Sequence, residues 1–192
     1  SDACVGGFVN PSIVGTPQTE TGLAWDATGW TQCPSTAYPA YLANASVHPA
    51  NGVTYPAPSS GPTYAAFPVQ VTNAKGFGQT MCTPLEVGDS FRLDARWIAA
   101  NPGVAGSPPT DAQMSLEIFT GSAVCVDITK AFWISTGSLT QAWETYCFTI
   151  TQYAQAGASI TFNGSLNNSD GTPSNATGFI LIDHVERAAS CP

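Results

Sequence analysis

The sequence predicts an all-β fold, an antiparallel two-sheet β-sandwich of about 8–10 strands with little helix. Three observations carry this reading. Apolar and polar residues alternate with period two in several stretches, the pattern of strands with one buried face. Apolar residues nowhere recur at three and four over several turns without an intervening Gly or Pro, so amphipathic helices have no support. Turn-forming residues are frequent, with 18 Gly and 15 Pro in 192 residues, and they separate the alternating stretches.

Taken in chain order, residues 5–9 are the first candidate strand. Residues 34–62 carry Tyr38, Pro39, Tyr41, Pro49, Tyr55, Pro56, Pro58 and Pro62. A connection of that length is usually functional or disordered, and its tyrosines favour an ordered surface loop. Residues 64–72 follow, with Pro68 placing that strand at an edge or a bulge, and then 77–82. The clearest alternation is Ser90–Trp97, with Phe91, Leu93, Ala95 and Trp97 on one face and Arg92, Asp94 and Arg96 on the other. Residues 101–109 read as a loop. Met114, Leu116 and Ile118 then alternate with Ser115, Glu117 and Phe119, and 123–128 and 131–135 are further candidates. Tyr146, Phe148 and Ile150 alternate with Cys147, Thr149 and Thr151, and 158–163 follows. The last strand, 178–186, is apolar on both faces at its start and is expected in the middle of a sheet. No repeat or boundary interrupts the series, so 1–192 reads as a single domain.

The charged fraction is 9% and the net charge −8, with Lys75, Lys130, Arg92, Arg96 and Arg187 the only basic residues. Nucleic-acid binding needs clustered Lys and Arg and is argued against, as is docking on anionic lipid. No run approaches the length of apolar residues that spans a bilayer, so no transmembrane segment is expected. The chain opens Ser1-Asp2-Ala3-Cys4 without an apolar signal core, and an exported protein is expected here in its mature form. Cys4, Cys33, Cys82, Cys125, Cys147 and Cys191 are widely spaced and contain no Cys-x-x-Cys pair. Zinc ribbons and thioredoxin-like sites are therefore out. Three disulfides made in an oxidising, extracellular or cell-surface compartment are expected, although spacing alone selects no pairing. Asn44, Asn163, Asn167 and Asn175 stand in Asn-x-Ser/Thr sequons and are candidate glycosylation sites.

Two segments carry a resemblance. Phe8-Val9-Asn10-Pro11-Ser12 is followed by Ala27-Thr28-Gly29-Trp30, and the chain closes with Gly178-Phe179-Ile180-Leu181-Ile182-Asp183-His184-Val185. Together they resemble the galactose-binding-like jelly roll of secreted bacterial carbohydrate-binding modules. There the first strand carries an Asn-Pro motif and then Gly-Trp, and the last strand is an aliphatic run into Asp and Val. The resemblance implies a jelly roll with Asp183 as a ligand of a structural calcium. The carboxylate that usually partners it is absent from Asn10-Pro11-Ser12-Ile13-Val14. Calcium would then draw on backbone carbonyls, and the alternative is that Asp183 caps a backbone turn. No other cofactor is implied. The resemblance further implies that the termini lie side by side, pairing Cys4 with Cys191. Cys125 and Cys147 then flank neighbouring strands as the second pair, and Cys33–Cys82 is the third, pinning the 34–62 loop.

Sugars present apolar C–H faces and a rim of hydroxyls, which aromatic rings and planar polar side chains match. Trp25, Tyr38, Tyr41 and Tyr55 are the candidate rings, and Arg92, Asp94 and Arg96 the candidate polar stripe. The expected function is a non-catalytic, lectin-like extracellular domain whose partners are glycans or polysaccharide. The alternative is a structural or adhesive protein, a self-assembling fibre or surface-coat subunit binding copies of itself, because few charges oppose association. An enzyme is the weakest reading. The chain has two His, no Gly-x-Ser-x-Gly and no His-Glu-x-x-His. Asp94, Glu117, Asp127 and Glu144 are the strand carboxylates from which a glycosidase pair would be drawn.

Overall fold

A computed structural model of the chain describes residues 3–20, 24–34, 39–69, 74–99, 113–126, 132–167 and 178–192. The strands are β1 (Cys4–Val5), β2 (Phe8–Val9), β3 (Thr31–Gln32), β4 (Tyr41–Ala43), β5 (Tyr64–Val69), β6 (Ala74–Leu85), β7 (Ser90–Ala99), β8 (Gln113–Gly121), β9 (Phe132–Ser138), β10 (Glu144–Thr149), β11 (Gly157–Asn167) and β12 (Gly178–Ala188). The first sheet runs β10-β7-β12-β5-β4 and the second β3-β6-β11-β8-β9, with β1-β2 a small hairpin. Every pairing is antiparallel. From β5 onward each connection except β8–β9 carries the chain from one sheet to the other.

The period-two pattern explains the layers. Phe91, Leu93, Ala95 and Trp97 of β7 share one buried cluster with Met114, Leu116 and Ile118 of β8 and Ile160, Phe162 and Leu166 of β11. Alternate residues therefore point into the space between the sheets, and removing them from water drives the fold. The strand β12 lies between β7 and β5, as its two apolar faces require. Ile180 and Ile182 enter the main core, and Phe179 and Leu181 a second cluster on the outer side. That second cluster includes Tyr41, Val53, Tyr55, Tyr64 and Ile98, so residues 41–55 cover this outer face. Pro68 sits where β5 has only one partner, β12, since β4 pairs with 64–66 alone, the edge position where a strand proline is usually found.

Three expectations of local structure change. Residues 5–9 are not one strand but break at the Gly6-Gly7 turn, where both glycines have positive φ, into the β1-β2 hairpin. Residues 123–126 turn rather than extend, and β3 and β4 appear where no period was readable, because two or three residues carry none.

All three proposed disulfides are corrected: the bridges are Cys4–Cys82, Cys33–Cys125 and Cys147–Cys191. The ends of the chain do lie together, since Gly6 C=O accepts from Arg187 N–H at 3.1 Å. Cys4, however, faces the β6 side, where Gly7 C=O accepts from Thr83 N–H, whereas Cys191 reaches the β10 edge of the first sheet. Cys125 follows β8 in the second sheet and Cys147 is on β10 in the first. Sheets packed about 10 Å apart exceed the reach of a disulfide. Cys33 lies beside Gly76, donating its N–H to that carbonyl; Cys82 is six residues farther along β6, roughly 20 Å away at strand rise.

The turn ending in Cys125 lies across Gly78. A Cβ there would collide with Ile160 C=O and come within 2.8 Å of Val124 Cγ1. Gly78→Ala is therefore expected to destabilise the domain by about 1–3 kcal/mol through overpacking, read as a lower urea midpoint with an unchanged slope.

Candidate functional site

The polar stripe expected on β7 does share one face, the outer side of the first sheet; Arg92 and Asp94 are hydrogen-bonded within the protein, and Arg96 meets an aromatic ring while its buried Nε has no hydrogen-bond partner. Arg92 pairs with Glu186. Asp94 accepts from Thr145 Oγ1 at 2.6 Å and Ser59 Oγ at 2.8 Å. The Arg96 guanidinium stands 6.0 Å over the Trp143 ring, which donates its indole N–H to Ala57 C=O at 2.8 Å.

The proposed aromatic platform is corrected. Tyr41 and Tyr55 are 0% and 5% exposed, their hydroxyls 2.6 Å apart, with His48 stacked on Tyr55 at 4.3 Å. They fold inward because the phenols satisfy each other and Asn51 while the rings bury apolar area. That burial pushes both hydroxyls above the ordinary tyrosine range. Trp25 packs on Phe77 and donates to Trp30 C=O at 2.8 Å; it belongs to the edge of the core. Tyr38 lies outside the described residues.

Asp183 is fully buried, cross-strand from Asp94. One oxygen accepts from Ser60 N–H at 2.9 Å and Ser59 Oγ at 3.3 Å, so it caps the turn at 59–60. Its other oxygen has no partner. Burial, reinforced by the Asp94 charge, raises its carboxyl to about 7 against the pull of the hydrogen bonds. Among the described residues no three His, Cys, Asp or Glu side chains converge to hold a metal, and both Asp94 oxygens are engaged. An ion there would have the one free Asp183 oxygen and backbone carbonyls.

The second sheet presents a different outer surface. Along β11 the outward positions are Ser159, Thr161, Asn163 and Ser165, all at least nine-tenths buried. Ser159 donates to Gly121 C=O at 2.9 Å, and Thr161 accepts from Cys125 N–H at 3.0 Å. The turn held by Cys33–Cys125 thus closes that half of the row. The other half is unclosed in hydrogen-bonding terms. Asn163 is 0% exposed and neither Oδ1 nor Nδ2 has a partner. Its cross-strand neighbour is Glu117 of β8, which Ser165 Oγ approaches at 3.4 Å. Ser135 of β9 is the next cross-strand partner of Glu117, and Phe119 lies on the same side of β8. Burial raises the Glu117 carboxyl above its ordinary range, although Ser165 and Ser135 oppose the shift.

This row was not among the sequence candidates. Ser159-x-Thr161-x-Asn163-x-Ser165 is itself a period-two polar pattern, and it could have been read as a polar row on a strand. Asn163 was expected as a glycosylation acceptor; its burial in the sheet corrects that, since a glycan needs a surface amide. Asn44 is partly exposed, with its amide bound to Pro62 C=O and to the N–H groups of Ser46 and Val47. Asn175, and the side chain of Asn167, lie outside the described residues.

No protein-family model matches the chain, and no curated protein matches it. Several solved structures are similar in fold. One is the Stig cyclase Fisc from Fischerella sp. TAU, 15% identical over 95% of this chain and 92% of that one, with a TM-score of 0.48. Another is TmCBM61 in complex with β-1,4-galactotriose, 11% identical over 93% and 99%, TM-score 0.42. A third is the C-terminal family 22 carbohydrate-binding module of Clostridium thermocellum Xyn10B, 11% identical over 94% and 98%, TM-score 0.43.

Proposed function

We propose that the protein is an exported carbohydrate-binding domain, and that it binds sugar, without acting on it chemically, on the outer face of the second sheet at Asn163 and Glu117. The observation that carries this is the Asn163 amide, buried with two donors and an acceptor all unpaired. Leaving such a group unsatisfied costs about 1–3 kcal/mol, and a ligand hydroxyl would recover it by displacing what covers this 0%-exposed side chain. A sugar hydroxyl both donates and accepts, matching an amide beside a carboxyl and two serines. Three disulfides suit an extracellular setting.

The test is a glycan and polysaccharide panel with the oxidised protein, in calcium and in chelator, with sizing in the same buffers. Saturable binding by a monomer is expected. Asn163→Ala and Glu117→Gln should each weaken it about ten-fold or more, the loss of one or two ligand hydrogen bonds, while Arg96→Ala on the opposite face should leave it intact. No binding to any polysaccharide by a folded monomer would sink the reading. Large assemblies without binding would instead favour a self-assembling subunit. Loss of thermal stability in chelator that disappears in Asp183→Asn would assign an ion to the free Asp183 oxygen.

A further inference from the structure

A separate cluster joins the two ends of the chain. Ser12, in the turn after β2, places its Oγ 3.2 Å from His184 Nδ1 and 3.2 Å from Ser60 Oγ. His184 Nε2 lies 3.0 Å from Glu186 Oε2. The Arg92 guanidinium grips the other Glu186 oxygen through two nitrogens. A carboxylate only accepts hydrogen bonds, so neutral His184 carries its ring proton on Nε2 and turns the Nδ1 lone pair toward the Ser12 hydroxyl. Burial alone would raise the Glu186 carboxyl. The hydrogen bonds from Arg92 and His184 outweigh it and hold the group below its ordinary range.

The backbone is unusual around this cluster. Among the described residues, positive φ occurs outside glycine at Asn10 (52°), Ile13 (52°), His184 (50°) and Cys125 (63°). Three of those four bracket the Ser12–His184 contact. For a β-branched residue such as Ile13 that conformation is a genuine outlier. His184 lies in the register shift between Asp183 and Glu186, a bulge that re-aims its side chain out of the strand's alternation. Gly61, with φ of 67°, lets the 59–61 turn close on Ser12; a Cβ there would come within 3.3 Å of the Ser12 Cβ. Backbone outliers of this kind concentrate at functional sites, held there by the surrounding fold.

We propose that Ser12, His184 and Glu186 form a nucleophilic acyl-transfer site whose substrates are carboxylic esters. The Ser12 Oγ attacks the ester carbonyl carbon and its proton passes to His184 Nδ1. The bond from that carbon to the alcohol oxygen breaks, and the alcohol leaves with the same proton. Water then adds to the Ser12 acyl ester, giving its proton to Nδ1. The carboxylic acid departs as Ser12 Oγ recovers that proton. Glu186 is a positioning residue: it fixes the ring and faces the charge that develops on it. The ring is turned relative to the usual triad, in which the carboxylate holds Nδ1 and the serine meets Nε2; either nitrogen can serve as the base. The His184 and Glu186 side chains are 31% and 23% exposed, so ester and water reach them from solvent. The site shares no residue with the Asn163 face and stands independently of the sugar-binding reading.

The experiment is labelling of the oxidised protein with a fluorophosphonate probe, with p-nitrophenyl acetate turnover alongside. One equivalent of label on Ser12, located by peptide mass, is expected. Ser12→Ala should take up none, and His184→Gln should label about 100-fold more slowly or worse, the usual loss of a general base. Glu186→Gln should label about ten-fold more slowly, with Glu186→Asp restoring part of the rate, a readout that a purely structural role would not move. Tyr153→Ala, at an exposed position away from the cluster, serves as a folded control that still labels. Absence of label on the folded parent, or equal label on Ser12→Ala, would overturn the proposal and leave the cluster as a clamp between the first turn and the last strand.

Discussion

Replacing Asn163 by Leu is expected to stabilise the protein and to abolish its glycan binding at the same time. The parent side chain is fully buried with no hydrogen-bond partner. Its desolvation is uncompensated, a penalty of about 1–3 kcal/mol. Leucine removes that penalty and adds buried apolar area at a similar volume. A gain of this size corresponds to about 2–4 °C in Tm per kcal/mol for a domain of this length. Opposite changes in stability and affinity in one variant are the signature of a group kept for function at the expense of stability. Thermal unfolding and the polysaccharide panel, run on the same preparation, check both. A Leu variant that is clearly less stable would mean that Asn163 has a structural role in the sheet, and the site assignment would fail.

The second large effect is in pH. The carboxyl of Asp183 is raised to about 7 from 3.8, because burial disfavours its charged form and Asp94 stands across the strand pair. A carboxyl whose folded pKa is raised binds its proton more tightly in the native state. The stability it supports is complete below about pH 4 and is lost as pH rises through 7. A shift of that size is worth on the order of 4 kcal/mol. Glu117 is shifted in the same direction by burial and adds to the slope. Asp26 and Glu186 are shifted downward, Asp26 by its hydrogen bonds from Thr16 and Glu186 by Arg92 and His184 against its burial. They lose their contribution only as pH falls through their folded values, and so set the acid limit. Urea unfolding from pH 4 to pH 8 should show stability declining toward alkaline pH. Asp183→Asn should flatten most of that decline, because an amide oxygen still accepts from Ser60 N–H. A parent whose stability is level from pH 5 to pH 8 would exclude a buried, titrating Asp183.

Much of the architecture was legible in the sequence. The alternation in β7, β8 and β10 is a property of successive residues, since side chains of a strand point to opposite sides. The face carrying Phe91, Leu93, Ala95 and Trp97 could therefore be written down without a structure, as could the central place of β12. The common side of Arg92, Asp94 and Arg96 follows from the same rule. The tyrosines were misread for a physical reason: a Tyr reads as amphipathic in sequence, and only a partner such as the Tyr41–Tyr55 hydroxyl pair makes its burial tolerable.

The sequence by itself determined the long strands, their buried faces, the low charge and the presence of six cysteines. The tertiary structure alone decided which distant segments meet. Crossing between sheets at nearly every connection puts sequence neighbours in opposite layers, so Cys147 finds Cys191 rather than Cys125. The same crossings bring Ser12 to His184, 172 residues away, and set Asn163 beside Glu117. A strand's period is local and can be read along the chain; register, layer and bulge are set by the packing of the whole sandwich and cannot.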